Sequence, residues 1–171
     1  KSHVILSPIY TVDKIYRSMY GPYSTQEITL VETAQPELIW VTGYKAVMKG
    51  ADGKTPQLQE FMCHSNLDFD GEKHKKIFGW NQHVTDRLFT LSQGQFEIDF
   101  PEGFAMPIMS NETLRLTTQV LNLNPIEGIE DVRHKVTIKY VRNKDLKRPL
   151  KPLIMVGANG LKLLEGKDGY Y

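Results

Sequence analysis

The only cysteine of the chain stands directly before a histidine, in the segment EFMCHSNLDFD. Cys63 and His64 suggest three kinds of chemistry: a soft-metal site, because thiolate and imidazole together suit copper, a thiol nucleophile with its base, or a packed thiol beside a surface imidazole. In a regular strand, Cys63 shares a face with Leu67 and Phe69, whereas His64 shares the other face with Met62. Alternation therefore predicts a core-facing Cys63 and a His64 that faces a polar surface or pocket.

The remaining histidines show no HxxxH spacing, and the lone cysteine excludes a CxxC pair, so the common zinc signatures are absent from the sequence. His134 shares its parity with apolar residues, and we predict a satisfied core histidine. His74 lies in the lysine-rich stretch EKHKK, and we predict that it is solvated. His83 is the remaining candidate to converge on His64. The predicted metal ligands are therefore Cys63, His64 and His83.

The chain has 171 residues, with 21 Lys and Arg against 20 Asp and Glu and a formal net charge of +1. This balance gives no overall basic field, so no nucleic-acid partner is expected. No apolar run approaches the roughly 20 residues that cross a bilayer, so no transmembrane segment is expected. The chain begins at Lys1 rather than at a methionine, which suits either removal of a targeting segment or a trimmed chain. On the first of these explanations we expect export to the periplasm or the extracellular space.

Period-two alternation recurs along the chain, whereas no stretch of helix length shows a 3.6-residue apolar stripe. In PELIWVTGYKAVMKG, for example, Leu38, Trp40, Tyr44, Ala46 and Met48 fall on one parity. Such strands with turn residues between them predict an all-β protein, an antiparallel jelly-roll-like β-sandwich. We predict that TLRLTTQVLNLNP and DVRHKVTIKYVRN are adjacent antiparallel strands, and that GEKHKKIFGWN holds a loop or one short helix.

The segment MCHSNLDF is followed in order by FEIDFPEGFAMPI, LTTQVLNLNP and VTIKYVRNKDL. Together these segments resemble the copper type II, ascorbate-dependent monooxygenases, the family that includes dopamine β-hydroxylase and peptidylglycine α-hydroxylating monooxygenase. MCHSNLDF is similar to the His-His-Met strand of that family, with Cys63 and His64 at the two histidine positions and Ser65 at the methionine. We treat residues 1–171 as a single β-sandwich domain, with N-terminal strands and loops in 1–35, the resembling region in 36–160 and a loose tail in 161–171.

The resemblance implies a jelly-roll fold and copper as the cofactor, but the chain departs from the family at two of its three imidazole ligands. One is Cys63, and the third ligand position falls on Leu121. The family also uses a second copper, held by a second jelly-roll domain, for which 171 residues leave no room. We therefore do not expect an autonomous enzyme; monooxygenase activity would require a partner subunit that supplies the other half.

These observations predict a non-catalytic or accessory jelly-roll subunit that acts with other protein subunits in a larger assembly. No catalytic residue and no organic cofactor are predicted. The alternative is a copper-binding protein with an altered site formed by Cys63, His64 and His83, which works in electron transfer, copper handling or partner-dependent oxidation. A carbohydrate-binding jelly roll that uses Trp40, Trp80 and tyrosines is a third hypothesis, supported by fold analogy alone.

Overall fold

The computed structural model describes residues 1–79, 86–125 and 128–154. Within them, eleven strands and one α-helix follow one another along the chain: β1 Ser2–Leu6, β2 Tyr10–Val12, β3 Tyr23–Thr29, β4 Leu38–Gly50, β5 Met62–Asp68, α1 Gly71–Phe78, β6 Arg87–Ser92, β7 Glu97–Asp99, β8 Phe104–Met109, β9 Thr113–Val120, β10 Glu130–Arg142 and β11 Lys151–Pro152. Short 3₁₀ turns occupy Gln59–Phe61 and Asn143–Asp145.

The strands form two sheets that pack face to face. The larger sheet has the order β1-β10-β4-β8-β11, with β2 paired to β10 and β7 paired to β4, and the smaller sheet has the order β3-β9-β5-β6. All pairs are antiparallel except β8 with β11. The chain passes repeatedly from one sheet to the other, so the predicted all-β, antiparallel jelly-roll-like β-sandwich is confirmed.

The predicted pairing of two strands late in the chain is wrong. The residues of TLRLTTQV form β9 in the smaller sheet, where they pair with β3 and β5. Those of DVRHKVTIKYVR belong to β10 in the larger sheet, where they pair with β1, β2 and β4. The connection between them therefore crosses from one sheet to the other and does not close a hairpin.

The core lies between the two sheets and is built from the inward parity of each strand. Tyr44, Ala46 and Met48 of β4 are fully buried in it, as the alternation predicts. Trp40 departs from this pattern, because Ile39 and Val41 enter the core instead. The pairing of β4 with β10 shifts register at this point, and the resulting β-bulge reverses which parity faces inward. Trp40 is buried outside the core cluster, and its indole N–H donates to Asn143 Oδ1 at 2.9 Å.

The helix α1 occupies most of the segment for which the sequence predicts a loop or one short helix. The Asp70 carboxylate accepts a hydrogen bond from the Lys73 N–H and caps the N-terminus. Gly79 ends the helix in the left-handed conformation, with a φ of 68°, and its N–H donates to Lys75 O. Among the helices of the described ranges, none has the length and apolar character needed to cross a bilayer.

Candidate functional site

The Cys63–His64 pair lies at a β-bulge that changes the predicted side-chain pattern. Met62 pairs with Val120 and His64 with Gln119, so Cys63 is the extra residue on β5. Met62 is fully buried and belongs to the core, contrary to the prediction that it shares the face of His64. After the bulge, Leu67 lies in the core and Ser65 Oγ lies 2.6 Å from Tyr44 Oη.

Cys63 is a buried free thiol, as alternation predicts, although it does not belong to the central core cluster. Its sulfur lies 3.8 Å from the Ser18 hydroxyl, in the turn that precedes β3. The extra residue at the bulge therefore directs the thiol toward this turn. His64, the next residue, borders the same region of the chain.

His64 lies in an open groove on the outer face of the smaller sheet. The groove has a volume of about 490 Å³ and is lined, besides His64, by Met19, Tyr20, Gly21, Tyr23, Thr117 and Gln119. Three of these side chains project into solvent: Tyr20 is 81% exposed, Tyr23 70% and Met19 65%. Two aromatic rings and a thioether are thus presented together beside a half-buried imidazole.

The turn that forms the rim of the groove, residues 19–22, is held against β9 by hydrogen bonds and by a close approach at a glycine. The Gln119 side chain donates to Gly21 O at 2.9 Å, and the Val120 N–H donates to Pro22 O at 3.0 Å. A Cβ on Gly21 would lie 2.0 Å from Val120 O, so the chain can approach β9 this closely only at a glycine. Met19 has a φ of 68°, a rare conformation for a residue with a side chain.

The groove carries little charge near neutral pH. Burial, and then the positive charge of Arg87, lower the pKa of His64 below its ordinary value, because both disfavour the imidazolium. The other lining residues are an aliphatic thioether, two phenols, a hydroxyl, an amide and a glycine. A ligand for this surface therefore meets aromatic and neutral polar groups.

The outer face beyond the groove is polar along its whole length. Asp68 on β5 is buried, accepts a hydrogen bond from Arg87 Nε, and lies 3.7 Å from Arg115 Nε. Thr117 Oγ1 lies 3.2 Å from Thr25 Oγ1 on the neighbouring strand. These cross-strand pairs stabilise the outer face of the smaller sheet, on which the groove lies.

The predicted metal ligands are only partly located. Cys63 and His64 are neighbours at the bulge, whereas His83 lies outside the described residues, as does Trp80. Leu121, at the third ligand position of the resemblance, is a buried aliphatic side chain. Within the ranges that the structure describes, no group of three or more His, Cys, Asp or Glu side chains is arranged to hold a metal ion. The three-imidazole set of the resembling family is therefore not reproduced there.

The environment of His74 differs most clearly from the one that its lysine-rich sequence predicts. His74 is 1% exposed, not solvated as predicted, and its Nδ1 lies 2.7 Å from Glu112 Oε2. Its ring stacks on Phe69 at a centroid distance of 4.0 Å. Glu112 Oε1 accepts the Met109 N–H at 2.6 Å, so this carboxylate joins α1 to the turn between β8 and β9. The helical i, i+4 spacing of His74 and Phe78 is the one sequence signal for an inward-facing imidazole.

His134 lies in the core, as predicted, but it is not satisfied there. Neither ring nitrogen has a hydrogen-bond partner among the described residues. The ring meets Tyr10 edge to face at a centroid distance of 6.0 Å. Burial, followed by the charge of His64, lowers the pKa of His134 to about 3. It is therefore a neutral imidazole at physiological pH.

Comparison with models of protein families, with curated proteins and with solved structures finds no match to the chain.

Proposed function

We propose that the chain is a non-catalytic accessory domain that binds a partner protein in a larger assembly, through the groove around His64. The observation that carries this proposal is the cluster of exposed Met19, Tyr20 and Tyr23 beside the half-buried imidazole. Tyrosine and methionine are enriched in the buried centres of protein interfaces, where they supply large contact area. The neighbouring amide and hydroxyl provide hydrogen-bonding groups beside that contact area.

The lining residues of the groove also indicate which kind of partner surface would bind there. The described residues that line the groove include no carboxylate and no ammonium. Burying them against a charged surface would desolvate that charge without an opposite partner. The partner surface is therefore apolar or aromatic at its centre, with a few neutral polar groups that reach Thr117 and Gln119.

A photoreactive residue placed at Tyr20 tests the location of the binding surface. In protein expressed in its native source and irradiated there, position 20 should yield one covalent adduct with a defined partner chain. The matched control is the same residue at Leu58, which is 60% exposed but lies outside the groove. Equal labelling from both positions, or none from position 20, would contradict the proposal.

Copper binding is the second candidate function, and the β-bulge is the observation that favours it. Cys63 and His64 both border the turn before β3, which also carries Met19. Thiolate, imidazole and thioether are soft donors that together suit copper. Two adjacent donors do not complete a site, so a third ligand must come from Met19 or from His83.

Metal retention separates the two candidates. Protein loaded with copper and then desalted should keep less than one ion per chain if the domain is a non-catalytic binding module. One tightly held ion per chain, with an intense visible absorption that disappears in Cys63→Ser, would support the copper protein instead. An unchanged spectrum in Cys63→Ser would exclude the thiolate as a ligand.

A further inference from the structure

The edge strand β3 leaves a row of backbone groups unpaired. β3 pairs with β9 in a register that brings Tyr23 opposite Gln119, and the Val120 N–H donates to Pro22 O one step earlier. In an antiparallel pair, hydrogen-bonded and non-hydrogen-bonded positions alternate. The N–H and C=O groups of Tyr23, Thr25, Glu27 and Thr29 therefore point away from β9. None of them has a hydrogen-bond partner within the described ranges.

Apart from the single charge of Glu27, the edge lacks the features by which proteins protect exposed strands. Its sequence, YSTQEIT, contains no proline and no lysine, and its pairing with β9 runs over seven residues without a bulge. The opposite edge of the same sheet, β6, differs, because it begins at Arg87 and its pairing with β5 shifts register. In the larger sheet, β11 is only two residues long and contains Pro152. β3 is thus the unprotected edge of the smaller sheet.

We propose that a second copy of the chain pairs with β3, so that two smaller sheets join into one continuous eight-stranded sheet across a twofold axis. This inference goes beyond the proposed function, because it depends on the unpaired backbone groups of β3; the side chain of Tyr23 lines the groove, but the pairing uses only its N–H and C=O. Twofold dimers are the most common homo-oligomers, and their interfaces must be self-complementary. An antiparallel pairing of β3 with itself satisfies that requirement.

The register between the two copies of β3 follows from the outward-pointing N–H and C=O groups and from the charge of Glu27. Centring the axis on Gln26 places Thr25 opposite Glu27 of the second copy and Tyr23 opposite Thr29 of the second copy. All four outward-pointing residues then form bonded pairs that each exchange two hydrogen bonds. Centring the axis on Glu27 would instead place two carboxylates directly opposite each other, which destabilises a sheet.

The register also matches side chains on both faces. On the outer face, the Thr25 hydroxyl meets the carboxylate of Glu27, a pair that can form a hydrogen bond across strands. On the inner face, Gln26 meets its own copy, and partly exposed Ser24 meets buried Ile28. No like-charged residues face each other in this arrangement.

Sedimentation velocity over a range of concentrations tests the proposal. Wild-type protein should sediment as a dimer, and Thr25→Pro should weaken the dimer at least tenfold, because proline removes an N–H that the second copy uses. That N–H has no partner within residues 1–79, 86–125 and 128–154, so circular dichroism of Thr25→Pro should remain native. The matched control Thr25→Val keeps the N–H and should remain dimeric. A monomeric wild type, or a dimer that survives Thr25→Pro, would overturn the proposal.

An engineered disulfide tests the register between the two copies. It also keeps the proposal testable if Thr25→Pro does not fold. With the axis at Gln26, a single Gln26→Cys substitution places two thiols opposite each other in a non-hydrogen-bonded pair, where antiparallel strands approach most closely. Mild oxidation should convert this variant to a covalent dimer. The control Thr29→Cys stands far from its own copy and should remain uncross-linked. Cross-linking of Thr29→Cys with none of Gln26→Cys would refute the register and, with it, the proposal.

Discussion

Because the buried imidazole of His134 has no hydrogen-bond partner among the described residues, we predict that the free energy of unfolding falls in mild acid. His134 has a pKa of about 3 in the folded protein, against 6.5 for an unperturbed histidine. Below 6.5 the unfolded chain binds a proton at this residue, while the folded chain does not until the pH approaches 3. Stability contributed by neutral His134 is therefore complete above 6.5 and is lost progressively as the pH falls toward 3.

The magnitude follows from the two pKa values. A pH near 5 is about 1.5 units below the pKa of His134 in the unfolded chain, so this residue is protonated there. In the folded protein it remains deprotonated at the same pH. Each unit corresponds to about 1.4 kcal/mol, so the wild-type protein loses about 2 kcal/mol through His134 between pH 8 and pH 5. In His134→Leu this contribution disappears, because leucine does not titrate.

Urea denaturation of the wild type and of His134→Leu at both pH values measures the difference. The loss of stability on acidification should be about 2 kcal/mol smaller in His134→Leu. Met48→Leu is the matched control, since Met48 pairs with His134 across the sheet and the change alters packing without removing a titratable group. An equal acid-induced loss in the wild type and in His134→Leu would refute the assignment of a neutral, unpaired imidazole.

Three further predictions concern the groove rim, the buried pair and the surface charges. Gly21→Ala should destabilise the protein by about 2 kcal/mol or more, because its Cβ would overlap Val120 O; a near-neutral effect in urea denaturation would show that the rim can move away from β9. Glu112→Ala should cost about 3 kcal/mol, since it removes the carboxylate that accepts from Met109 and contacts His74. Glu112→Gln removes the charge but keeps an oxygen that can accept from Met109, so it should cost less; equal losses would contradict a stabilising role for that hydrogen bond. Lys139, followed by Lys45, lowers the pKa of Glu97 to about 2 from 4.5, so its contribution to stability is complete above 4.5 and is lost as the pH falls toward 2. Glu97→Gln should flatten the pH dependence in that window, and an unchanged acid titration would argue against these ion pairs.

The alternation of the sequence predicts the sandwich well because most strands keep one face in the core. Tyr44, Ala46 and Met48 show this on β4. The prediction fails at β-bulges, where one extra residue reverses the parity. This happens before Tyr44, where Trp40 leaves the core, and at Cys63, where Met62 enters it. Period-two patterns contain no signal for such an insertion.

The assignment of strands to sheets fails for a related reason. β9 and β10 have similar patterns and a short connection, which favours a hairpin, but alternation does not distinguish a hairpin from a crossing between sheets. His74 shows the same limit for single residues, since its lysine neighbours suggest solvent while its partner Glu112 is distant in sequence. The groove itself needs the turn before β3 to fold back over β9, which only the contacts of Gly21 and Gln119 reveal.

The affinity of the partner that cross-links at position 20 tests the central claim most directly. Tyr20→Ala removes an exposed ring from the middle of the proposed contact surface, and large aromatic anchors contribute more than about 1.4 kcal/mol to binding. The dissociation constant should therefore rise at least tenfold for Tyr20→Ala and stay unchanged for the control Leu58→Ala. An unchanged dissociation constant for Tyr20→Ala would contradict the proposal that the groove around His64 is the binding surface.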